Sequence, residues 1–275
     1  MDVRHMYHSP KLEGIHQEDI KSKAEKDFEN ILPGTPQLED SEKKDSSPPW
    51  KSSATKPQFL VPPGLEYLSK MQHIIIHQEV ELLGVFLGTE KSNKYEIKDN
   101  FGQRLYFAIE ENIYLNKNLC GPLRPFSMHI TNNTGQEVIT VIRPLRCITC
   151  CFPCYLQELE VQAPPGTTVG FIVQKWDPLV PKFTIQNESK EDVLNVIGPY
   201  LTFRCLGDVI FEVKTLNEKS LIGKICKYWS GFVNDVFTNA DNFGIEFPAD
   251  LDVKLKAALI GTCFLISNSY SIPAD

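Results

Sequence analysis

Four cysteines fall within eight residues, at Cys147, Cys150, Cys151 and Cys154. Paired CxxC units can bind zinc through a tetrahedral set of thiolates, but zinc normally draws its pairs from separated segments. Here the pairs abut, Pro153 stiffens the run, and Cys205 and Cys226 stand alone. The same thiols, next to Arg143 and Arg146, suit S-acylation, because basic neighbours favour thiolate and anionic lipid. Each buried methylene of an acyl chain contributes ~0.8 kcal/mol, so two or more chains anchor a protein stably. Cysteine also packs as a small hydrophobe. Spacing alone leaves acylation, packing and zinc as alternatives.

A second stretch, Asn239 to Asp250, reads as a twelve-residue calcium loop. Asn239, Asp241, Phe243, Ile245, Phe247 and Asp250 take positions 1, 3, 5, 7, 9 and 12, with Gly244 at 6. Side-chain oxygens occur only at 1, 3 and 12, and position 12 is Asp rather than a longer, bidentate Glu. So few charges imply a weak Ca2+ site, toward the ~10⁻⁴–10⁻³ M range. An acidic turn capping a following helix accounts for the same residues. A third stretch, Gly223 to Gly231, holds Lys224, Lys227, Tyr228 and Trp229. It reads either as an import-type interaction patch or as a strand with solvated lysines.

Neither a phosphate loop, nor Gly-x-Ser-x-Gly, nor HExxH occurs. The chain therefore does not read as an enzyme, and nucleotide-driven chemistry has no motif to rest on. A net charge of −7 argues against general nucleic-acid binding. The N-terminus carries no secretory pattern, which points the eight cysteines to a reducing compartment.

The elements that position these residues follow from patterning. Residues 1–58 carry mixed charge and few apolar side chains, and read as a disordered polar tail. Residues 59–275 read as one folded domain. Short runs with strand chemistry recur at Ile74–Val80, Tyr95–Lys98, Leu105–Ile109, Met128–Thr131, Val138–Ile142, Leu156–Val161, Val169–Val173, Lys182–Ile185, Leu201–Phe203 and Val209–Val213. Asn132-Asn133-Thr134-Gly135 marks a hairpin. Near the end, Ala257 to Ile266 is apolar on every side, so it must be buried in protein or in lipid. Ten residues at ~1.5 Å rise span about 15 Å, half a hydrocarbon core. Extension recruits Ser267-Asn268-Ser269-Tyr270-Ser271 and Pro273, which favours burial in protein. Asp250 or Asp252 is placed to cap this helix. Many strands and one apolar helix predict a closed β-barrel threaded by that helix.

The segment from Pro62 to Ile266 resembles the phospholipid scramblase family. The resemblance rests on Pro62-Pro63-Gly64-Leu65-Glu66-Tyr67-Leu68, the cysteine run, Gln162-Ala163-Pro164-Pro165-Gly166, Pro181 to Asn187, Asp241 to Ile245, and Ile260 to Ile266. It implies a mainly β, tubby-like barrel of twelve strands around the C-terminal helix. It further implies palmitoylation of the cysteine run, a calcium loop at 239–250, an import-type segment at 223–232, and calcium-activated, ATP-independent movement of phospholipids between leaflets. Implied partners are membrane phospholipids, further copies of the chain and a nuclear import receptor. The implied location is the cytoplasmic face of the plasma membrane, with the nucleus open to unacylated protein. The sequence departs from the family at Asn239, where an acidic residue is usual in the best-known member. Its polar end also differs, where relatives continue with apolar residues. A filled barrel suggests a second reading: an acyl-anchored lipid- or protein-binding module without transport.

Overall fold

Pro62-Pro63-Gly64-Leu65, at the start of the described residues, forms a tight turn. The Leu65 amide donates to the Pro62 carbonyl at 3.0 Å, and Gly64 sits at φ +90°. Proline before a positive-φ glycine is what a type II turn requires. A Cβ on Gly64 would lie 2.1 Å from Val138 Cγ1, so the turn fits only with glycine there. The computed structural model describes residues 61–79, 92–111, 125–145, 156–200, 208–228, 232–233, 236–237 and 242–269, all within the unit Ser47–Asp275. The expected tail, 1–58, lies outside them.

After the turn comes a short helix, α1 (Glu66–Lys70), then strands β1 (His73–Glu79), β2 (Lys94–Lys98), β3 (Arg104–Glu110), β4 (Phe126–Asn132) and β5 (Glu137–Arg143). They continue as β6 (Glu158–Gln162), β7 (Thr168–Lys175), β8 (Lys182–Gln186), β9 (Asp192–Ile197), β10 (Val209–Thr215) and β11 (Leu221–Tyr228). A small hairpin, β12 (Phe232–Val233) with β13 (Val236–Phe237), precedes β14 (Asn242–Glu246) and the helix α2 (Val253–Ser269).

Twelve strands, β1 to β11 and β14, form one closed antiparallel barrel. Neighbours in sequence are neighbours in the wall, and β14 closes it by pairing with both β11 and β1. Closure leaves the wall without an edge for another chain to extend. Side chains alternate as the pleat demands: Ile74 and Ile76, Tyr95 and Ile97, Leu159 and Val161, Leu194 and Val196 all point into the core.

That core is filled by α2. Residues 255–267 of the helix are buried, and Leu259, Ile260, Phe264, Leu265 and Ile266 have no exposed surface. Phe264 meets Tyr95 edge to face, with ring centroids 5.1 Å apart. Gly261 is the point of closest approach: a Cβ there would stand 2.9 Å from Val161 and 3.2 Å from Leu159. No described helix is long and apolar enough to cross a membrane.

Two strands of the barrel wall, β9 and β14, have no strand reading in sequence, and the expected run Leu201–Phe203 lies outside the described residues. β9 sets the apolar pairs Val193-Leu194 and Val196-Ile197, rather than a clean alternation, on either side of Asn195. The Thr184 hydroxyl satisfies it by donating to Asn195 Oδ1 at 3.0 Å. β14 lies inside the stretch that reads as a calcium loop, where Asp241, Asn242 and Gly244 are turn-type residues.

Candidate functional site

The barrel has two unlike ends. At one, five tight turns join β2–β3, β4–β5, β6–β7, β8–β9 and β10–β11. Asp99, Asn132 and Asn187 organise three of these turns by accepting backbone amides two and four residues on. Here α2 enters. Asp252 stands just before Val253, and its Oδ1 accepts the Lys254 amide at 2.7 Å, the cap expected from sequence. One turn on, Lys256 has 0% of its surface exposed. Its Nζ donates to the carbonyls of Ser69 (2.9 Å), Met71 (2.7 Å), Ala249 (3.2 Å) and Leu68 (3.5 Å), and lies 5.0 Å from the Phe247 ring. The ammonium thus satisfies the C-terminal carbonyls of α1 and ties them to α2. Burial lowers its pKa to about 8, against the opposing charge of Asp250. In sequence Lys256 looks like an ordinary charge at the border of an apolar block.

At the other end, α2 leaves among polar side chains drawn from many strands. Tyr95 and Ser267 hydroxyls lie 3.4 Å apart. One residue before β2, Asn93 accepts from Gln78 at 3.3 Å and donates to buried Glu110 at 2.6 Å. Across the mouth, buried Arg143 donates through Nε and Nη2 to Gln157 Oε1 at 2.8 and 2.6 Å, and stacks over Phe126 at 5.8 Å. Gln157 in turn accepts the Gln174 amide at 2.7 Å. No sequence motif announces this network, because its members are scattered along the chain and meet only when the barrel closes.

The sequence-derived candidates are spread along the wall rather than gathered at one end. Cys147, Cys150, Cys151 and Cys154 lie outside the described residues, in the connection from β5 to β6. Asn239 and Asp241 also lie outside them. Residues 242–246 correct the loop reading. Phe243 and Ile245 are buried wall residues of β14, and Gly244 is paired with Ile75 on one side and Cys226 on the other. A carbonyl committed to a sheet ladder does not wrap a cation. Phe247 is buried beside Lys256, and Asp250 is at the surface. Among the described residues no group of three or more His, Cys, Asp or Glu is placed to hold a metal ion.

As far as Tyr228 the import-type stretch belongs to strand β11. Lys224 is half-buried, and Lys227 sits 5.7 Å over the Phe243 ring. Trp229 lies outside the described residues. Cys226, on the same strand, is held up to about 12 by burial and by the charge of Asp208, so it is a thiol rather than a thiolate.

The family model described as Scramblase matches residues 51–271. Human phospholipid scramblase family member 5 is 63% identical over 243 residues, covering 86% of this chain and 90% of the relative. Human phospholipid scramblase 1 is 57% identical over 218 residues, covering 79% and 68%. Human phospholipid scramblase 4 is 43% identical over 223 residues, covering 80% and 67%.

Proposed function

The chain belongs to the scramblase family, and from that premise we propose that it moves phospholipids passively between the two leaflets of a membrane. The observation that carries this reading is the extent of the match, which runs through the whole barrel and its helix. The function is transport rather than covalent catalysis.

The barrel interior offers lipid no path, because α2 and the inward side chains fill it. A headgroup crossing roughly 30 Å of hydrocarbon needs polar company. In this reading it is found on the outside of the protein, between copies of the chain, or where attachment distorts the bilayer. Attachment is through acyl chains on Cys147, Cys150, Cys151 and Cys154, at the cytoplasmic face of the plasma membrane. Unacylated protein is free for the nucleus, with Lys224, Lys227 and Trp229 offered to an import receptor.

Calcium is the trigger in this reading, and ATP is not used. The oxygens available are those flanking β14, at Asn239, Asp241 and Asp250. The strand itself contributes none and separates Asn239 and Asp241 from Asp250, so the calcium reading rests on weak binding at either end of it.

The test is the accessibility of fluorescent lipid in proteoliposomes, with and without millimolar calcium. Protein- and calcium-dependent loss of inner-leaflet signal is the expected result, and Asp241→Ala with Asp250→Ala removes the calcium response. Retained response in that double variant removes calcium from these residues. A flat trace from folded, vesicle-bound native protein selects the second reading, an acyl-anchored binding module, which the filled interior favours.

A further inference from the structure

The connections β5–β6, β7–β8 and β9–β10 follow one another around the end of the barrel where α2 leaves. Each presents a large apolar side chain to solvent. Leu145 is 59% exposed just after β5, Trp176 and Leu179 are 56% and 59% exposed between β7 and β8, and Tyr200 is 58% exposed after β9.

These residues stand on a braced rim. Asp177 Oδ1 accepts the amides of Leu179 and Val180 at 2.9 and 3.1 Å, which fixes the turn that lifts Leu179. The Gly198 amide donates to the Pro181 carbonyl at 2.8 Å, tying the Tyr200 connection to the Leu179 one. Gln174 and Gln157 join β7 to the base of the β5–β6 connection, and Arg143 locks Gln157 from below. Exposed apolar residues held this firmly mark an interaction surface more than loose packing.

We infer that this arc of the rim is the face the protein lays on a phospholipid bilayer, with Leu145, Trp176, Leu179 and Tyr200 entering the headgroup layer. The occupant follows from the chemistry. Trp and Tyr, each apolar with a polar tip, favour the membrane–water interface, and leucines beside them add apolar burial. The segment carrying the four cysteines leaves the barrel from this same arc, between Leu145 and Leu156. Acyl chains there and side chains here would enter one membrane face, whereas anchors on opposite ends would compete. The tight-turn end also exposes apolar side chains, Tyr67 on α1, Phe101 on β2–β3, and Leu216 and Leu221 on β10–β11, but its connections carry no cysteine and no tryptophan.

The inference rests on the membrane reading proposed above, and its test separates the two. Full-length protein is floated with vesicles of phosphatidylcholine and phosphatidylserine and compared with Leu179→Glu/Tyr200→Glu and with Phe101→Glu/Leu216→Glu. The rim variant should lose about tenfold or more in vesicle partition, since two apolar contacts become charges at the interface. The tight-turn variant should match the native chain. In a chain whose Trp50 and Trp229 are replaced by Phe, brominated lipid should quench Trp176. Unchanged flotation of the rim variant, greater loss in the tight-turn variant, absence of flotation by native protein, or bound protein with unquenched Trp176 would each overturn the docking face. Native protein that floats and is quenched yet moves no lipid would leave the docking face standing and remove the transport reading.

Discussion

The two ends of the barrel use the same wall in opposite ways. At the tight-turn end, local chemistry closes the structure: Asx-type turns, the Pro62–Leu65 turn, the Asp252 cap and buried Lys256 spend their polar groups on one another. At the opposite end the chain makes long excursions, and the apolar side chains on their stems face solvent. One end therefore holds the fold, and the other presents it. Substitutions should divide accordingly, with large stability effects near the helix and the tight-turn end and small ones on the rim.

The sharpest test is Leu259→Glu. In a barrel core it leaves an unpaired carboxylate among apolar side chains, so a loss of several kcal/mol is expected, enough to abolish the cooperative thermal transition. A membrane-spanning helix would instead leave the barrel folded and lose only insertion, which circular dichroism and flotation together distinguish. Lys256→Met comes next. It keeps most of the volume but leaves the part-buried carbonyls of Ser69, Met71 and Ala249 without this donor, and should cost about 1–3 kcal/mol in chemical denaturation.

The same lysine predicts a pH signature. Its folded pKa is lowered to about 8 from 10.5, so between those values the unfolded chain holds a proton that the folded chain releases. Its contribution to stability thus rises with pH across that window and is flat below it. Tyr106, raised to about 12 by burial, works in the opposite direction above pH 10. The stability difference between native and Lys256→Met protein, followed from pH 7.5 to 10.5, isolates the lysine. A constant difference would contradict the assignment.

Gly261→Leu overpacks the helix against Leu159 and Val161 and should lower stability by about 1–3 kcal/mol. Asp252→Ala removes a cap, at roughly 1 kcal/mol. Leu179→Glu, out on the rim, should change stability by no more than about 0.5 kcal/mol. A rim substitution that unfolds the protein would erase the division between the ends.

Much of this architecture is legible in sequence. Period-2 runs gave most of the wall, because a one-sided sheet must alternate. The helix declared its burial by having no polar face and too little length for a bilayer. Strand β14 was hidden by Asp241, Asn242 and Gly244, whose turn chemistry outweighed Phe243 and Ile245 in a local reading. In β9 the adjacent apolar pairs Val193-Leu194 and Val196-Ile197 obscure the alternation. Lys256 was unreadable for a different reason: what matters is the ring of carbonyls that receives it, and carbonyls leave no trace in residue identity. Of the candidate site, the cysteine run was legible as chemistry, while the rim from Leu145 to Tyr200 needed the strand order to bring it together.

The order of elements along the chain has a kinetic consequence. Closure pairs β1 with β14, and His77 of the first strand meets Asn242 of the last across 165 residues. The helix that fills the interior comes later still. Such non-local pairing places the domain among slow folders, in the millisecond-to-second range, because loop entropy is lost before the contacts reward it. Until β14 pairs, the wall has β1 and β11 as open edges, sticky to any neighbouring strand, and until α2 enters its apolar interior is unfilled. Newly made protein should therefore lean on chaperones until its last helix is in place, and chains shortened before Val253 should aggregate rather than circulate as a smaller domain.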